Sequence, residues 1–223
     1  MPFTCGHGGR LMNAETALYR RVFLKLLLGA SLWPWRGAHA DDLENGSCGV
    51  TQAAPEGPFY VRNARETAYI NYRNFPGRLM RVEGIVLGGP LGDLPLPEAR
   101  VEIWHADGDG RYHPAGDGDV SEYSLDAVNL RGVGYTDVSG RYAFHSIVPG
   151  TYGGRRRHIH WKFSAPGYRA LTTQSYWRED QNSAQASTDV VDRNPERCRW
   201  LDFPLDRKGI RVGVFNVVLK PLQ

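Results

Sequence analysis

Short strand-like segments separated by turn residues dominate the chain after residue 78. In residues 79–87 the apolar side chains of Met80, Val82 and Val86 share one face, as on a half-buried strand. The intervening segments carry glycine and proline in turn combinations, and no long helical period appears. Regularly spaced short strands are typical of a sandwich, so the pattern predicts an all-β, antiparallel β-sandwich. The six predicted strands are residues 79–87, 99–105, 141–148, 158–164, 170–177 and 210–219.

Three parts of the chain differ in character around these strands. Residues 41–78 have few strand signals and are predicted to form an irregular N-terminal arm, whereas residues 79–223 are predicted to form the β-sandwich domain, in which any functional site is expected. Residues 178–208 form a long polar connection, the kind of loop that often carries function. Residues 210–219 are apolar nearly throughout, which predicts a strand buried on both faces.

Residues 1–40 have the organisation of a secretory signal peptide. Basic residues including Arg20 and Arg21 precede a short apolar stretch, and Ala38-His39-Ala40 forms a small-x-small cleavage site. The paired arginines resemble a twin-arginine export signal. The alternative is a short N-terminal membrane anchor. The first interpretation predicts a periplasmic or secreted protein, exported by the twin-arginine route and carrying no membrane segment after signal removal.

The basic character of the chain is concentrated in this leader. The whole sequence has 27 Lys and Arg against 24 Asp and Glu, but residues 41–223 retain only 22 basic and 23 acidic residues. This near balance gives no electrostatic reason to expect a nucleic-acid partner.

Two cysteines remain after the predicted cleavage. Cys5 leaves with the leader, whereas Cys48 and Cys198 stay in a chain exported to a compartment that permits disulfides. We expect a Cys48–Cys198 bridge, and the alternative is two unrelated buried thiols.

His158 and His160 are the most informative pair of residues. They are two positions apart on a predicted strand and therefore share a face, while Ile159 points into the other layer. Two such imidazoles can bind one metal ion, although two histidines on a polar strand face are the alternative. The Gly153-Gly154 turn can bring the phenol of Tyr152 back towards them. A phenol has a high pKa, so a hard, strongly acidifying ion such as Fe(III) suits it best.

Several segments together resemble the intradiol ring-cleavage dioxygenases, the family of catechol and protocatechuate dioxygenases. The short spacing between Tyr152 and the histidines is similar to that of the small exported members. The matching segments are residues 56–60, 101–112, 135–144, 149–152, 158–160 and 171–176. Their order and spacing carry the resemblance, since each segment alone is a weak signal.

This resemblance implies a non-haem Fe(III) cofactor and a set of metal ligands. The ligand positions of the family correspond here to Tyr112, Tyr152, His158 and His160. The implied substrates are a small aromatic diol and O₂, and the diol displaces Tyr152 from the metal. The ring opens between its two hydroxylated carbons and yields a cis,cis-muconate-type diacid.

The resemblance also implies roles for residues that do not bind the metal. Arg155 and Gln174 correspond to residues that steady the charge developing on the attacked ring, and Gly57, Pro58 and Phe59 match a segment lining the substrate pocket.

Some questions stay open on the sequence alone. Arg156 and Arg157 are interpreted as a solvated charge run, with recognition of a substrate carboxylate as the alternative. A homo-oligomer is among the possible assemblies. The competing function is a non-catalytic exported β-sandwich binding module, but a sandwich alone gives no reason to place Tyr112 and Tyr152 beside a His-x-His pair.

Overall fold

The computed structural model describes residues 48–222, which belong to one compact unit. The predicted signal peptide, and the arm before Cys48, lie outside these described residues. No helix within residues 48–222 is long and apolar enough to cross a membrane.

Short strands make up most of the regular structure. The strands are β1 Val61–Arg62, β2 Leu79–Gly88, β3 Leu94–Pro95, β4 Arg100–Trp104, β5 Gly118–Asp119, β6 Arg131–Tyr135, β7 Arg141–Ile147, β8 His158–Ser164, β9 Leu171–Trp177, β10 Trp200–Leu201, β11 Arg211–Val214 and β12 Val217–Val218. Helix α1 spans Ala184–Thr188, and single 3₁₀ turns cover Val120–Glu122, Arg178–Asp180 and Arg197–Arg199.

Two five-stranded sheets form the sandwich. The first has the order β10-β9-β8-β4-β6, and its four longest strands are antiparallel. The second is built on β2, which pairs antiparallel with β7 and β3 and parallel with β11 and β12. The predicted all-β sandwich is therefore confirmed, with parallel pairing added at the C-terminal strands.

The hydrophobic core contains side chains that alternate along the strands of both sheets. Met80, Val82 and Val86 of β2 are buried and separated by partly exposed residues, as the sequence predicts. From β8, Ile159, Trp161 and Phe163 enter the same core. Because successive side chains on a strand point to opposite faces, His158 and His160 must lie on the outer face of the first sheet.

The predicted strand at residues 210–219 is wrong in two respects. The segment forms two short strands, β11 and β12, and Val214 is exposed rather than buried. Between the two strands Asn216 Oδ1 accepts a hydrogen bond from the Ile85 backbone N–H, 3.1 Å away, which replaces a ladder bond. The Phe215 carbonyl approaches Gly84 so closely that a β-carbon there would lie 1.9 Å from it. The pairing with β2 is interrupted here, although its register is the same before and after the interruption.

Strand β6 was not among the predicted strands, since Gly132 and Gly134 weaken its β signal. Both glycines have a packing reason. A β-carbon on Gly132 would lie 2.7 Å from Ile70, and one on Gly134 would lie 3.1 Å from Phe144. The remaining five predicted strands are found within one residue of their predicted ends.

A disulfide joins Cys48 to Cys198, with the two Cα atoms 6.2 Å apart. It links the start of the described arm to the 3₁₀ turn that precedes β10. Thr51 continues this attachment through a backbone hydrogen bond to Val218, and Ala54 through one to Thr172. The arm is thus held to strands of both sheets, β12 of the second and β9 of the first.

Removing the disulfide should destabilise the fold. The bond spans 150 residues of sequence, and closing so long a loop restricts the unfolded chain strongly. We expect the Cys48→Ser/Cys198→Ser variant to lose about 2–5 kcal/mol of unfolding free energy, measured by urea denaturation. Reductant added to the unmutated protein should produce the same loss. Equal midpoints for the variant and the oxidised protein would contradict this prediction.

Candidate active site

The histidines lie on a sheet face that is covered by loops. His158 and His160 are 3% and 2% exposed, although they point away from the hydrophobic core. In the sheet register His160 stands between Trp104 of β4 and Gln174 of β9, and His158 stands opposite Tyr176. The Trp104 indole stacks on the His160 ring, with centroids 4.9 Å apart. Neighbouring strands therefore fix the imidazole orientations.

The loop after β4 brings Tyr112 over these histidines. Asp107 shapes this loop, because its carboxylate accepts hydrogen bonds from the backbone N–H groups of Asp109 and Arg111, both at 2.9 Å. Gly110 has φ +83°, and a β-carbon there would lie 1.9 Å from the Thr151 carbonyl oxygen. The loop that carries Tyr112 and the loop that carries Tyr152 therefore pack backbone against backbone.

Three potential metal donors converge at the site. The Tyr112 hydroxyl oxygen lies 3.1 Å from His158 Nε2 and 3.0 Å from His160 Nε2. This is the spacing expected when donors share one metal ion at about 2.1 Å each. The structure thus brings together three of the four predicted ligands through their donor atoms.

The protonation states of the donors suit metal binding. Burial, together with the Arg155 guanidinium, lowers the pKa of His158 to about 3. Burial and the neighbouring His158 lower the pKa of His160 well below its ordinary value. Both imidazoles are therefore neutral at neutral pH. His158 Nδ1 lies 2.7 Å from the Arg156 carbonyl oxygen, so the proton sits there and the Nε2 lone pair faces Tyr112.

The Tyr112 phenol needs a cation in order to ionise. Burial raises its pKa, although the charges of Arg155 and Arg131 act in the opposite direction. The phenol consequently keeps its proton unless a strongly acidifying ion replaces it.

Tyr152 joins the cluster through its ring. It is half-buried, and its ring lies edge-on to Tyr112 and to Phe59, with centroid distances of 5.6 and 5.1 Å. The Gly153-Gly154 turn, with φ values of +51° and +76°, closes with a 2.7 Å hydrogen bond from the Arg155 N–H to the Tyr152 carbonyl. This turn places Tyr152 on the more exposed side of the donors.

Arg155 lies against the donor cluster and is itself buried. Its Nη1 is 3.2 Å from His158 Nε2, and its Nη2 donates a 2.8 Å hydrogen bond to Gln174 Oε1. Gln174 is fully buried and donates through Nε2 to the Pro55 carbonyl, 2.6 Å away. Both predicted charge-stabilising residues therefore adjoin the donors and each other.

The arm covers the site from the other side. Gly57, with φ +77°, passes so close to His160 that a β-carbon would lie 3.2 Å from its Cε1. The Phe59 ring stacks on Tyr112, with centroids 4.2 Å apart, whereas Pro58 is exposed. Arg131 of β6 holds this part of the arm by donating a 2.8 Å hydrogen bond to the Phe59 carbonyl.

The interpretation of Arg156 and Arg157 as a solvated charge run is wrong. Arg156 is 2% exposed, and its Nε donates to Asp189 Oδ2 at 3.1 Å. Arg157 is half-buried and forms ion pairs with Glu179 and Asp180, both at 2.6 Å. Since protein carboxylates already pair with both guanidinium groups, neither is poised to take a substrate carboxylate.

Sequence reasoning did not identify the buried charged residues beneath the site. Asp189 and Asp192 lie in the polar connection after β9. Asp189 accepts a hydrogen bond from Arg155, and Asp192 accepts one from Tyr176. Arg199 and Tyr176 complete this group, in which Tyr176 Oη lies 2.6 Å from Asp192 Oδ2. No regular spacing marks these residues, so only the fold shows that they belong together.

The donor set of the site fits a hard trivalent metal. Among residues 48–222 no three His, Cys, Asp or Glu side chains cluster as a metal site, so a metal ion held by His158 and His160 would need tyrosine for its remaining donors. Two neutral imidazoles, and a phenol that loses its proton only when an acidifying cation binds, match Fe(III) better than a soft divalent ion.

Comparison with known proteins identifies chains similar to this one. The family described as "Dioxygenase" matches residues 55–196. Catechol 1,2-dioxygenase of Acinetobacter guillouiae is 31% identical over 172 residues, which cover 67% of this chain and 54% of that protein. The chain spans about half the length of the curated relatives it matches.

Solved structures share the fold. The dioxygenase domain of a dioxygenase and carbohydrate-binding protein fusion from Streptomyces sp. SirexAA-E is 28% identical in sequence, with a TM-score of 0.62. The match covers 78% of this chain and 99% of that domain. Catechol 1,2-dioxygenase from Acinetobacter sp. ADP1 is also 28% identical, with a TM-score of 0.64 over 82% of this chain and 67% of that protein.

A methyl group at Gly110 should disturb the contact between the two tyrosine loops. A residue with a β-carbon there meets both an unfavourable φ and the Thr151 carbonyl. We expect Gly110→Ala to lose about 2–4 kcal/mol of unfolding free energy. The matched control is Gly108→Ala in the same loop, where nothing lies within 4 Å of the added carbon; it should change stability by less than about 1 kcal/mol. Equal effects in chemical denaturation would show that the loop contact does not matter.

Proposed function

The chain belongs to the intradiol dioxygenase family, and on that premise we propose that it is an Fe(III) enzyme cleaving a catechol-type ring between its two hydroxylated carbons. The substrates would be a small aromatic diol and O₂, and the product a cis,cis-muconate-type diacid. The observation that carries the proposal is that the Tyr112 hydroxyl oxygen lies within 3.1 Å of both His158 Nε2 and His160 Nε2, next to Arg155.

Tyr112, Tyr152, His158 and His160 would hold the iron. When bound, Fe(III) binds the diol as a chelate and makes its ring reactive towards O₂. The neutral imidazoles would need to lose no proton to bind, whereas the buried Tyr112 phenol would release its proton to solvent when the metal binds.

Tyr152 is suited to exchange with the substrate. Its half-exposed position, at the end of a two-glycine turn, lets the side chain move without disturbing the core. If the diol took its place at the metal, the freed Tyr152 phenolate oxygen would be able to accept a proton from a substrate hydroxyl.

Arg155 would stabilise charge on the reacting ring. Its guanidinium stays cationic, because hydrogen bonds and the charge of Asp189 raise its pKa despite burial. Nη1 faces the donors, and Nη2 holds Gln174. A cation held in place before the reaction, away from water, stabilises developing negative charge at no reorganisation cost.

Export to the periplasm or the exterior is part of the same proposal. The Cys48–Cys198 disulfide supports it, because such bonds persist in oxidising compartments. Arg20→Lys/Arg21→Lys should leave an unprocessed precursor inside the cell, and normal export of that variant would exclude the twin-arginine route.

Removing individual ligands should show which side chains hold the iron. Aerobically purified protein loaded with iron should show a red to purple tyrosinate charge-transfer band. Tyr112→Phe and His158→Ala should lose iron, colour and activity together, whereas Tyr152→Phe should retain part of the iron because that ligand exchanges with substrate. Metal analysis and visible spectra measure this.

The matched control for the tyrosine variants is Tyr135→Phe, an exposed tyrosine of β6. It should keep iron, colour and turnover. A protein that stays colourless after iron loading, or a Tyr112→Phe variant with full iron content, would refute the ferric-tyrosinate site.

A further inference from the structure

Asp189 is a buried carboxylate at the C-terminal end of α1, and it contacts two consecutive arginines. Its side chain is completely inaccessible to solvent. Arg155 donates to it twice, from Nε to Oδ1 at 3.0 Å and from Nη2 to Oδ2 at 3.2 Å. Arg156 Nε adds a third hydrogen bond at 3.1 Å. The fork between Arg155 and Asp189 is bidentate, the geometry that restricts a guanidinium most.

This fork leaves one amino group of Arg155 directed at the donors. Nε and Nη2 are used by Asp189 and Gln174, so Nη1 is the part of the guanidinium left to face His158. Because a guanidinium is planar, fixing two of its nitrogen atoms also fixes the third. Asp189 therefore sets the direction in which the Arg155 charge is presented.

Asp189 is itself held firmly. Its Oδ1 accepts a 3.2 Å hydrogen bond from the Val191 N–H. Its own N–H donates to the Gln185 carbonyl and so closes the last turn of α1. Thr188 Oγ1 donates to the Gly154 carbonyl at 3.1 Å, which ties α1 to the turn before Arg155. Burial raises the pKa of the Asp189 carboxyl, but Arg155 and Arg156 lower it more, so the group stays ionised.

We propose that Asp189 is a positioning residue, which holds Arg155 so that its Nη1 faces the reacting ring. This inference rests on the proposed function, since it concerns how Arg155 acts in ring cleavage. Asp189 does not itself contact the donors; it acts through Arg155. The guanidinium lies at the end of a long side chain with several rotatable bonds, so the backbone of Arg155 alone does not fix its direction.

A purely structural role is the competing explanation, because Asp189 also pairs with Arg156. Arg156 stacks on Tyr176 and Trp200, each with its guanidinium carbon 5.1 Å from the ring centroid, and donates to the Asp192 carbonyl. Loss of the Asp189–Arg156 pair would lower stability whether or not Arg155 is catalytic. The effect of Asp189 through Arg155 must therefore be measured separately from its effect through Arg156.

A double-mutant cycle in the iron-loaded protein makes this separation. We expect Asp189→Asn to lower kcat by about 10–100-fold with little change in KM and with iron retained. In an Arg155→Ala background the same substitution should lower kcat less than about threefold, because the group it positions is absent. A structural role acting through Arg156 predicts the same loss in both backgrounds.

The matched control is Asp180→Asn, which removes a carboxylate from the neighbouring pair with Arg157. It should leave kcat unchanged. If Asp189→Asn does not fold, Asp189→Glu keeps the charge but displaces the fork by one methylene, and it should retain iron while losing kcat.

A measurement on the iron-free protein tests the contact itself. The Arg155 Nε–H resonance in a ¹⁵N spectrum, assigned by its loss in Arg155→Lys, should shift strongly in Asp189→Asn and stay in place in Asp180→Asn. An unmoved resonance, or equal kcat losses in both backgrounds of the cycle, would overturn the positioning role. Failure of the proposed function would appear differently, as an unmutated protein with no colour and no turnover.

Discussion

His158 and His160 are buried on the face of β8 that points away from the hydrophobic core, and this burial constrains the rest of the structure. Imidazoles excluded from water need partners, and they need cover from chain segments outside the sheet. The arm, the loop carrying Tyr112, the turn after Tyr152 and the connection after β9 together supply that cover. Each segment also carries a residue of the site, so the segments that enclose the histidines are the same ones that assemble the site.

Charge balance beneath these loops is the second requirement. Arg155, Arg156 and Arg199 are buried, and Asp189 and Asp192 are their carboxylate partners. Burying several charges is costly unless each is paired and hydrogen-bonded, and here every carboxylate serves more than one donor. The same pairing that makes burial tolerable gives the Arg155 guanidinium a fixed direction, which is what electrostatic stabilisation of a reaction requires.

The sequence predicted the sandwich and the strand that carries the histidines because both depend on local patterns. Alternation placed Met80 and Val82 in the core, and the two-residue spacing placed His158 and His160 on one face. The predicted strand at residues 210–219 was wrong because composition does not reveal the contact between Gly84 and the Phe215 carbonyl. Asp189 and Asp192 were missed for a related reason: their pairing with Arg155 and Tyr176 depends on how the connection after β9 folds back, and no spacing in the chain encodes it.

The proposed reaction opens an aromatic ring between its two hydroxylated carbons. The most direct measurement is a turnover of catechol by the iron-loaded protein under ¹⁸O₂, with the product identified by mass spectrometry. We expect one O₂ to be consumed per ring and a cis,cis-muconate-type diacid that contains both labelled atoms. A semialdehyde from cleavage beside the hydroxyl groups, or a diacid with only one labelled atom, would contradict it.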